Sequence, residues 1–161
     1  PANFPVPIVL VLHRLRNTEG NLKQIYEKRL HLKAVEIEEK DRIEAGFLYI
    51  APANYHVLLE NDKTFSLDVS DLVNYSRPSI DVTFTSSADV FGDAVTGILL
   101  SGASKDGSLG LKDIADAGGT AIVQDPAEAE VDTMPRAAIE LIPDCSVLAL
   151  KGIEEYLLSL T

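Results

Sequence analysis

The chain is short of several things, and each shortage excludes something. It holds one cysteine, Cys145, among 161 residues. No internal disulfide can form, and a reducing, cytoplasmic setting is expected. Beside Pro143 and Asp144 that thiol reads as structural, not nucleophilic. No apolar run approaches the ~20 residues that a membrane helix needs and no signal peptide opens the chain, so no membrane insertion is expected. Basic residues are scarce, 14 Lys and Arg against 25 Asp and Glu, a formal charge of -11. That balance argues against nucleic acid and anionic membrane as partners. The three histidines, His13, His31 and His56, have no ligand spacing, and the acidic pairs fall on expected helices or loops, so no metal site is expected. No G-x-G-x-x-G follows a strand. Gly102 to Ser108 resembles half of a P-loop, but Lys105 precedes the second glycine instead of following it. No cofactor is expected. Repeats, low-complexity tracts and long linkers are absent too, which leaves residues 1–161 as a single domain.

What is there is the makings of a core. Hydrophobic residues at 46% and charged ones at 24% describe an ordinary globular chain. The organising stretch is AVTGILLSGASKDGSLGLKDIADAGG, Ala94 to Gly119. It reads as a buried strand to Leu100, a small-residue loop to Gly107, and a helix whose Leu111, Ile114, Ala115 and Gly118 form one inward stripe. Gly118-Gly119 stops the helix. Pro7 to Leu12 (PIVLVL) is a second buried strand, ending at His13. Asn17 to Leu32 reads as a helix ended by His31, where a cationic side chain suits the dipole. Between Ala34 and Leu67 the period changes: VEIEE, FLYIAP, HVLLE and TFSLDV are short and often alternating. They predict an extended segment followed by a hairpin instead of another parallel crossover, with His56 at a surface or cap position. A helix from Pro78 to Phe91 starts at Arg77-Pro78. Thr120 to Gln124 is a third buried strand, then come a helix from Met134-Pro135 to about Leu141, a strand Val147 to Leu150 and a closing helix Ile153 to Leu160. Strands alternating with helices give an α/β fold: a doubly wound, mainly parallel sheet flanked by helices, with one antiparallel hairpin.

Sites on open parallel sheets lie past the carboxyl ends of strands. His13 ends one buried strand and Asp106 follows another, so neighbouring parallel strands would bring both to one rim. A histidine held by a carboxylate is the base-and-orienter pair that activates a hydroxyl nucleophile. The bland alternative for Asp106 is an N-cap of the helix after it. The hydroxyl itself is missing: Gly102-Ala103-Ser104-Lys105-Asp106 lacks the last glycine of a nucleophile elbow. Ser104 is also only two residues from Asp106, awkward if an imidazole must sit between them.

At this point the chain resembles a known family, the catalytic domain of bacterial chemotaxis receptor methylesterases (CheB-type), over nearly its whole length. FPVPIVLVLH resembles the strand ending in that family's catalytic histidine, and GFLYIAPANYHVLL its G-x-x-Y-I-A-P-x-x-x-H segment. RPSIDVTFTSSA matches a family helix start. GILLSGASKDGSLGL resembles the T-G-M-G-x-D-G loop, and AGGTAIVQDPAEAEVDTMPRAAI the block containing M-P-R-x-A-I. The resemblance implies a carboxylic ester hydrolase that cleaves glutamyl methyl esters on methylated chemoreceptor cytoplasmic helices and deamidates glutamines there. His13 matches the base and Asp106 the orienting acid of a Ser-His-Asp triad. Arg136, in Met134-Pro135-Arg136, is a candidate for attracting the acidic receptor surface. Ala103, where the loop methionine is usual, and Arg14, where methionine usually follows the histidine, bear on substrate preference.

The family's serine lies in G-A-S-x-G-G, on a segment that would precede Pro1. The chain is therefore expected to be a fragment, incomplete at its N-terminus and inactive alone, with two-thirds of a triad. The resemblance also implies, as a possible phosphorelay partner in the full-length protein, the family's phosphorylated receiver domain, which normally gates the site; the sequence leaves open whether regulatory or methyltransferase domains are attached. The competing expectation is a catalytically inactive methylesterase-like signalling or docking module.

Overall fold

A computed structural model describes residues 4–13, 22–30 and 32–161. Its strands and helices alternate for most of the length, as the apolar runs require. Strands β1 (Ile8–Leu10), β2 (Lys33–Glu36) and β3 (Phe47–Ile50) form one parallel sheet in the order β1-β3-β2, with helix α1 (Leu22–Arg29) on the way from β1 to β2. β4 (His56–Leu59) and β5 (Phe65–Asp68) make an antiparallel pair in which His56 faces Asp68 and Leu59 faces Phe65. After helix α2 (Ile80–Phe91), strands β6 (Thr96–Leu99), β7 (Thr120–Gln124) and β8 (Ser146–Leu148) make a second parallel sheet in that order. Helices α3 (Ser108–Asp116) and α4 (Thr133–Leu141) form its crossovers, and α5 (Leu150–Ser159) closes the chain. The mainly parallel α/β class with one antiparallel hairpin is what forms, its strands grouped into two parallel sheets. Among the described residues, β1 and β6 each pair with one neighbouring strand only.

Two larger cores, and a small cluster of Ala34, Leu48 and Ile50 on the first sheet, hold these layers. Leu99, Leu111, Ile114, Val123, Met134, Ala138 and Ile142 are buried between the second sheet and helices α3 and α4. Ile37, Tyr49, Ala51, Val57, Leu59 and Phe65 are buried under the hairpin. Helix α2 belongs to both: Ile80 and Phe84 pack on the first cluster, Val90 and Phe91 on the second. It is the element that fixes one half of the molecule against the other.

The expectation for Ala34 to Leu67 needs correction. VEIEE and FLYIAP do not lead into an antiparallel set; they become β2 and β3 and pair in parallel, Val35 opposite Tyr49. The crossover between them, residues 37–46, is not helical, so no period of 3.6 marks it. It runs along the hairpin instead: Lys40 donates to the Phe65 carbonyl, the Phe65 N–H to that of Asp41, and the Ile43 N–H to that of Lys63. Only HVLLE and TFSLDV form the hairpin. Among the described residues no helix is long and apolar enough to cross a membrane.

Candidate active site

The loop after β6 delivers Asp106. Its N–H donates to Ser104 Oγ at 3.1 Å, and Gly107 then turns the chain into α3 with φ at 92°. A side chain at Gly107 would strain that left-handed turn and strike Leu99 Cδ1 at 2.6 Å and Ile80 Cγ2 at 2.7 Å. The Asp106 carboxylate is thereby aimed away from its own helix. Gly107 caps α3 with no side-chain bond. Asp106 caps α2 instead, accepting from the N–H groups of Ile80 at 2.7 Å and Asp81 at 3.2 Å. A helix start offers free donors and positive potential, and a buried anion satisfies both. Ser79, the α2 N-cap residue, donates its hydroxyl to Asp106 Oδ1 at 2.6 Å and accepts from the Val82 N–H.

The remaining oxygen meets the histidine. His13 Nε2 lies 2.6 Å from Asp106 Oδ2, across 93 positions of sequence. The His13 side chain is 27% exposed and that of Asp106 fully buried. The carboxylate holds the imidazole proton on Nε2, leaving Nδ1, which has no hydrogen bond among the described residues, as the basic nitrogen. Burial alone would raise the Asp106 pKa. The bonds from His13, Ser79, Ile80 and Asp81 outweigh it and hold the carboxyl at about 2, ionised at neutral pH. Asp106 is thus a cap of α2, not of the helix that follows it, and a hydrogen-bond partner of His13.

A second buried carboxylate sits behind the first. Asp81 accepts from the Gly110 N–H at 2.7 Å and from Asn74 Nδ2 at 2.8 Å, and Asn74 also reaches Asp106 at 3.3 Å. Burial pushes the Asp81 pKa up, the Gly110 N–H opposes this, and the Asp106 charge adds to the rise. Helices α2 and α3 approach closely enough for this because residue 110 is glycine: a Cβ there would lie 2.6 Å from Phe84 Cβ and 2.7 Å from the Asp81 carbonyl.

His56 is not on the surface. It is 1% exposed, accepts from the Ser79 N–H on Nδ1 at 3.2 Å, and donates from Nε2 to the Asp71 carbonyl at 3.0 Å. The hairpin strand turns its start inward under α2, which alternation alone could not decide. Ser79, Asn74 and His56 are site residues that the sequence pattern missed. Only Ser79 had a signal, its place just before a helical run after Arg77-Pro78.

The other candidates divide. Ala103 is exposed in the Asp106 loop, beside Gly102, whose N–H donates to the Val131 carbonyl and whose carbonyl accepts from the Met134 N–H. The Met134-Pro135-Arg136 motif therefore borders that loop. Arg136 itself is 64% exposed and bonds Asp132 through Nε at 2.6 Å, one turn away on its own helix, with no bond to the His13–Asp106 pair. Arg14 and His31 lie outside the described residues. Cys145 packs at the rim of the first core, where burial pushes its thiol pKa up. Among the described residues no group of three or more His, Cys, Asp or Glu side chains could hold a metal ion.

The family model described as CheB methylesterase matches residues 1–157. A putative protein-glutamate methylesterase/protein-glutamine glutaminase of Leptospira interrogans is 46% identical over 160 residues, 99% of this chain and 83% of that one. A protein-glutamate methylesterase/protein-glutamine glutaminase of Thermotoga maritima is 35% identical over 143 residues, which cover 87% of this chain but only 42% of the relative. The crystal structure of the Thermotoga maritima CheB methylesterase catalytic domain superposes with a TM-score of 0.93 at 34% identity, covering 100% of this chain and 87% of that one.

Proposed function

Because the chain belongs to the CheB methylesterase family, we propose that it supplies the base and orienting acid of a Ser-His-Asp site for chemoreceptors. That site hydrolyses glutamyl methyl esters, and deamidates glutamines, on the receptors' cytoplasmic helices. The observation that carries the reading is the 2.6 Å bond between His13 and Asp106, which follow strands of two separate parallel sheets far apart in sequence. The nucleophile in this reading is a serine on a strand upstream of Pro1. Support comes from the two sheets: β1 and β6 are each an end strand of a parallel sheet, and His13 and Asp106 follow them in the chain. A strand between them would cover both edges and end beside the imidazole.

In this mechanism the serine hydroxyl attacks the ester carbonyl while His13 Nδ1 takes its proton, and Asp106 steadies the imidazolium. Backbone N–H groups hold the oxyanion. Collapse breaks the C–O bond to the methoxy group, His13 returns the proton, and methanol leaves. Water then cleaves the acyl-serine by the same base, giving the glutamate carboxylate. Arg136 and Ala103 act in this reading on how the receptor segment seats.

The test is methanol release from methylated receptor by the full-length polypeptide, with and without His13→Ala. Loss of the general base should slow release about 10²–10⁴-fold. Equal rates would remove His13 from the chemistry, and no release by either protein would favour a signalling or docking module.

A further inference from the structure

A cleft of about 280 Å³ opens between Ala53, Asn54, Tyr55, Val69 and Arg77. Three of these residues follow β3, the parallel neighbour of β1, so the cleft lies at the sheet rim from which His13 projects. The Ala51 N–H bonds the Leu10 carbonyl there, tying the start of that loop to the end of β1. Arg77 stands two residues before Ser79, whose hydroxyl is bonded to Asp106.

Arg77 is unusual for so acidic a chain. Its Nη1 donates to the carbonyls of Val69 at 2.6 Å and Ser70 at 2.5 Å, which fixes the plane of the guanidinium. Among the described residues it makes no ion pair, although acidic residues outnumber basic ones by 25 to 14. Its Nε is buried without a partner, and Nη2 has no hydrogen bond among the described residues. A half-buried, pre-oriented guanidinium with unspent donors is a receptor for a carboxylate. The Asn54 amide and Tyr55 hydroxyl add neutral hydrogen-bonding capacity, and among the described residues no carboxylate lines the cleft.

We propose that the Arg77 cleft is a subsite for a carboxylate carried by the substrate polypeptide close to the scissile glutamyl ester. This rests on the esterase reading above. It makes Arg77 a specificity-determining residue that touches the substrate away from the reacting carbon. A net negative protein would otherwise repel an acidic segment, and the cleft offers that segment one fixed cation at the rim where the ester must sit.

The experiment uses the full-length polypeptide and two helical peptides, each with one glutamyl methyl ester. One carries Glu in the adjoining turn and the other carries Gln. At low salt the acidic peptide should be preferred about tenfold in kcat/KM, mostly through KM, because charge-assisted bonds are the stronger kind. Arg77→Gln should bring that ratio to about one. Since Arg77 also ties two loop carbonyls, a second variant keeps it in place. Asn54→Asp puts a carboxylate in the cleft at a left-handed position that Asp tolerates, and should reverse the preference. A ratio of one in the unaltered protein, or a preference that survives both substitutions, overturns the subsite. If neither peptide is hydrolysed the esterase reading fails, and peptide dissociation constants then decide the subsite by the same ratio. Glutarate binding as tightly as the acidic peptide would overturn the polypeptide as the source of the carboxylate.

Discussion

Replacing Asp106 with Asn tests the core of the site, because the carboxylate is surrounded by donors. Oδ1 accepts from Ser79, Asp81 and Asn74, and Oδ2 from Ile80 and His13. An amide puts an NH2 at one of these positions. Toward Oδ2 it faces the Ile80 N–H, and toward Oδ1 the Asp81 N–H, so one buried backbone donor is orphaned either way. An orphaned buried group costs about 1–3 kcal/mol. The lost charge adds to this. A carboxyl brought from 3.8 to about 2 contributes about 2 kcal/mol at pH 7, at about 1.4 kcal/mol for each tenfold change in proton affinity. Some returns because Asp81 loses a repulsive neighbour. We expect Asp106→Asn to lose about 3 kcal/mol at pH 7 in urea unfolding. The sign of the pH effect is fixed: the proton is held less tightly in the fold than in the unfolded chain. The charge contribution is therefore complete above about pH 4 and is lost between pH 4 and pH 2, about half of it by pH 3. The gap between the two proteins should narrow by about 1 kcal/mol from pH 7 to pH 3. A gap that is constant over that range, or below about 0.5 kcal/mol at pH 7, would refute the assignment of Asp106 as a buried, hydrogen-bonded anion.

Other substitutions separate stability from chemistry. His13→Ala removes a partly exposed ring and should change stability by less than about 1 kcal/mol in the same urea assay, whereas ester hydrolysis falls by orders of magnitude. Gly110→Ala drives a methyl group into Phe84 and the Asp81 backbone; thermal unfolding should show a loss of about 1–3 kcal/mol, with activity falling as α2 shifts. His56→Phe keeps the bulk but orphans the Ser79 N–H and the Asp71 carbonyl. It should cost about 1–3 kcal/mol by urea titration. Arg136→Ala breaks a solvent-exposed pair with Asp132 and should leave the melting temperature nearly unchanged, since such pairs contribute about 0–1 kcal/mol.

What was legible in the sequence follows from what each pattern encodes. Continuous apolar runs mark strands buried on both faces, and Thr120–Gln124 forms as β7 at the expected bounds. The helix after Pro78 and the one ending before Gly118 were legible from turn chemistry and a stripe of period 3.6. The β2–β3 crossover was not, because its partner is the hairpin backbone and backbone pairing leaves no side-chain signature. His56 was misplaced because alternation gives two faces without saying which is inside. For the site, the ends of two strands named His13 and Asp106, but a capping rule names a residue type and never the helix it caps. Asn74 and Ser79 become part of the site only through α2 crossing α3, and that crossing is encoded in a glycine at 110 as much as in any polar residue.

The use of one carboxylate for two tasks has a consequence for how the site is held. Asp106 secures the start of α2, and α2 packs on both cores, so the orientation of His13 depends on the joint between the halves of the molecule. A perturbation that loosens that joint, at Gly110 or His56, should degrade the imidazole geometry without touching it. In the proposed mechanism, orientation of the base is where small displacements are most costly to rate. The converse also holds: a nucleophile brought to His13 Nδ1 approaches the ring from the side opposite the Asp106 bond, and so disturbs none of the bonds that hold α2. In the proposed mechanism the imidazole side of the site is therefore open to substrate while the Asp106 side stays buried.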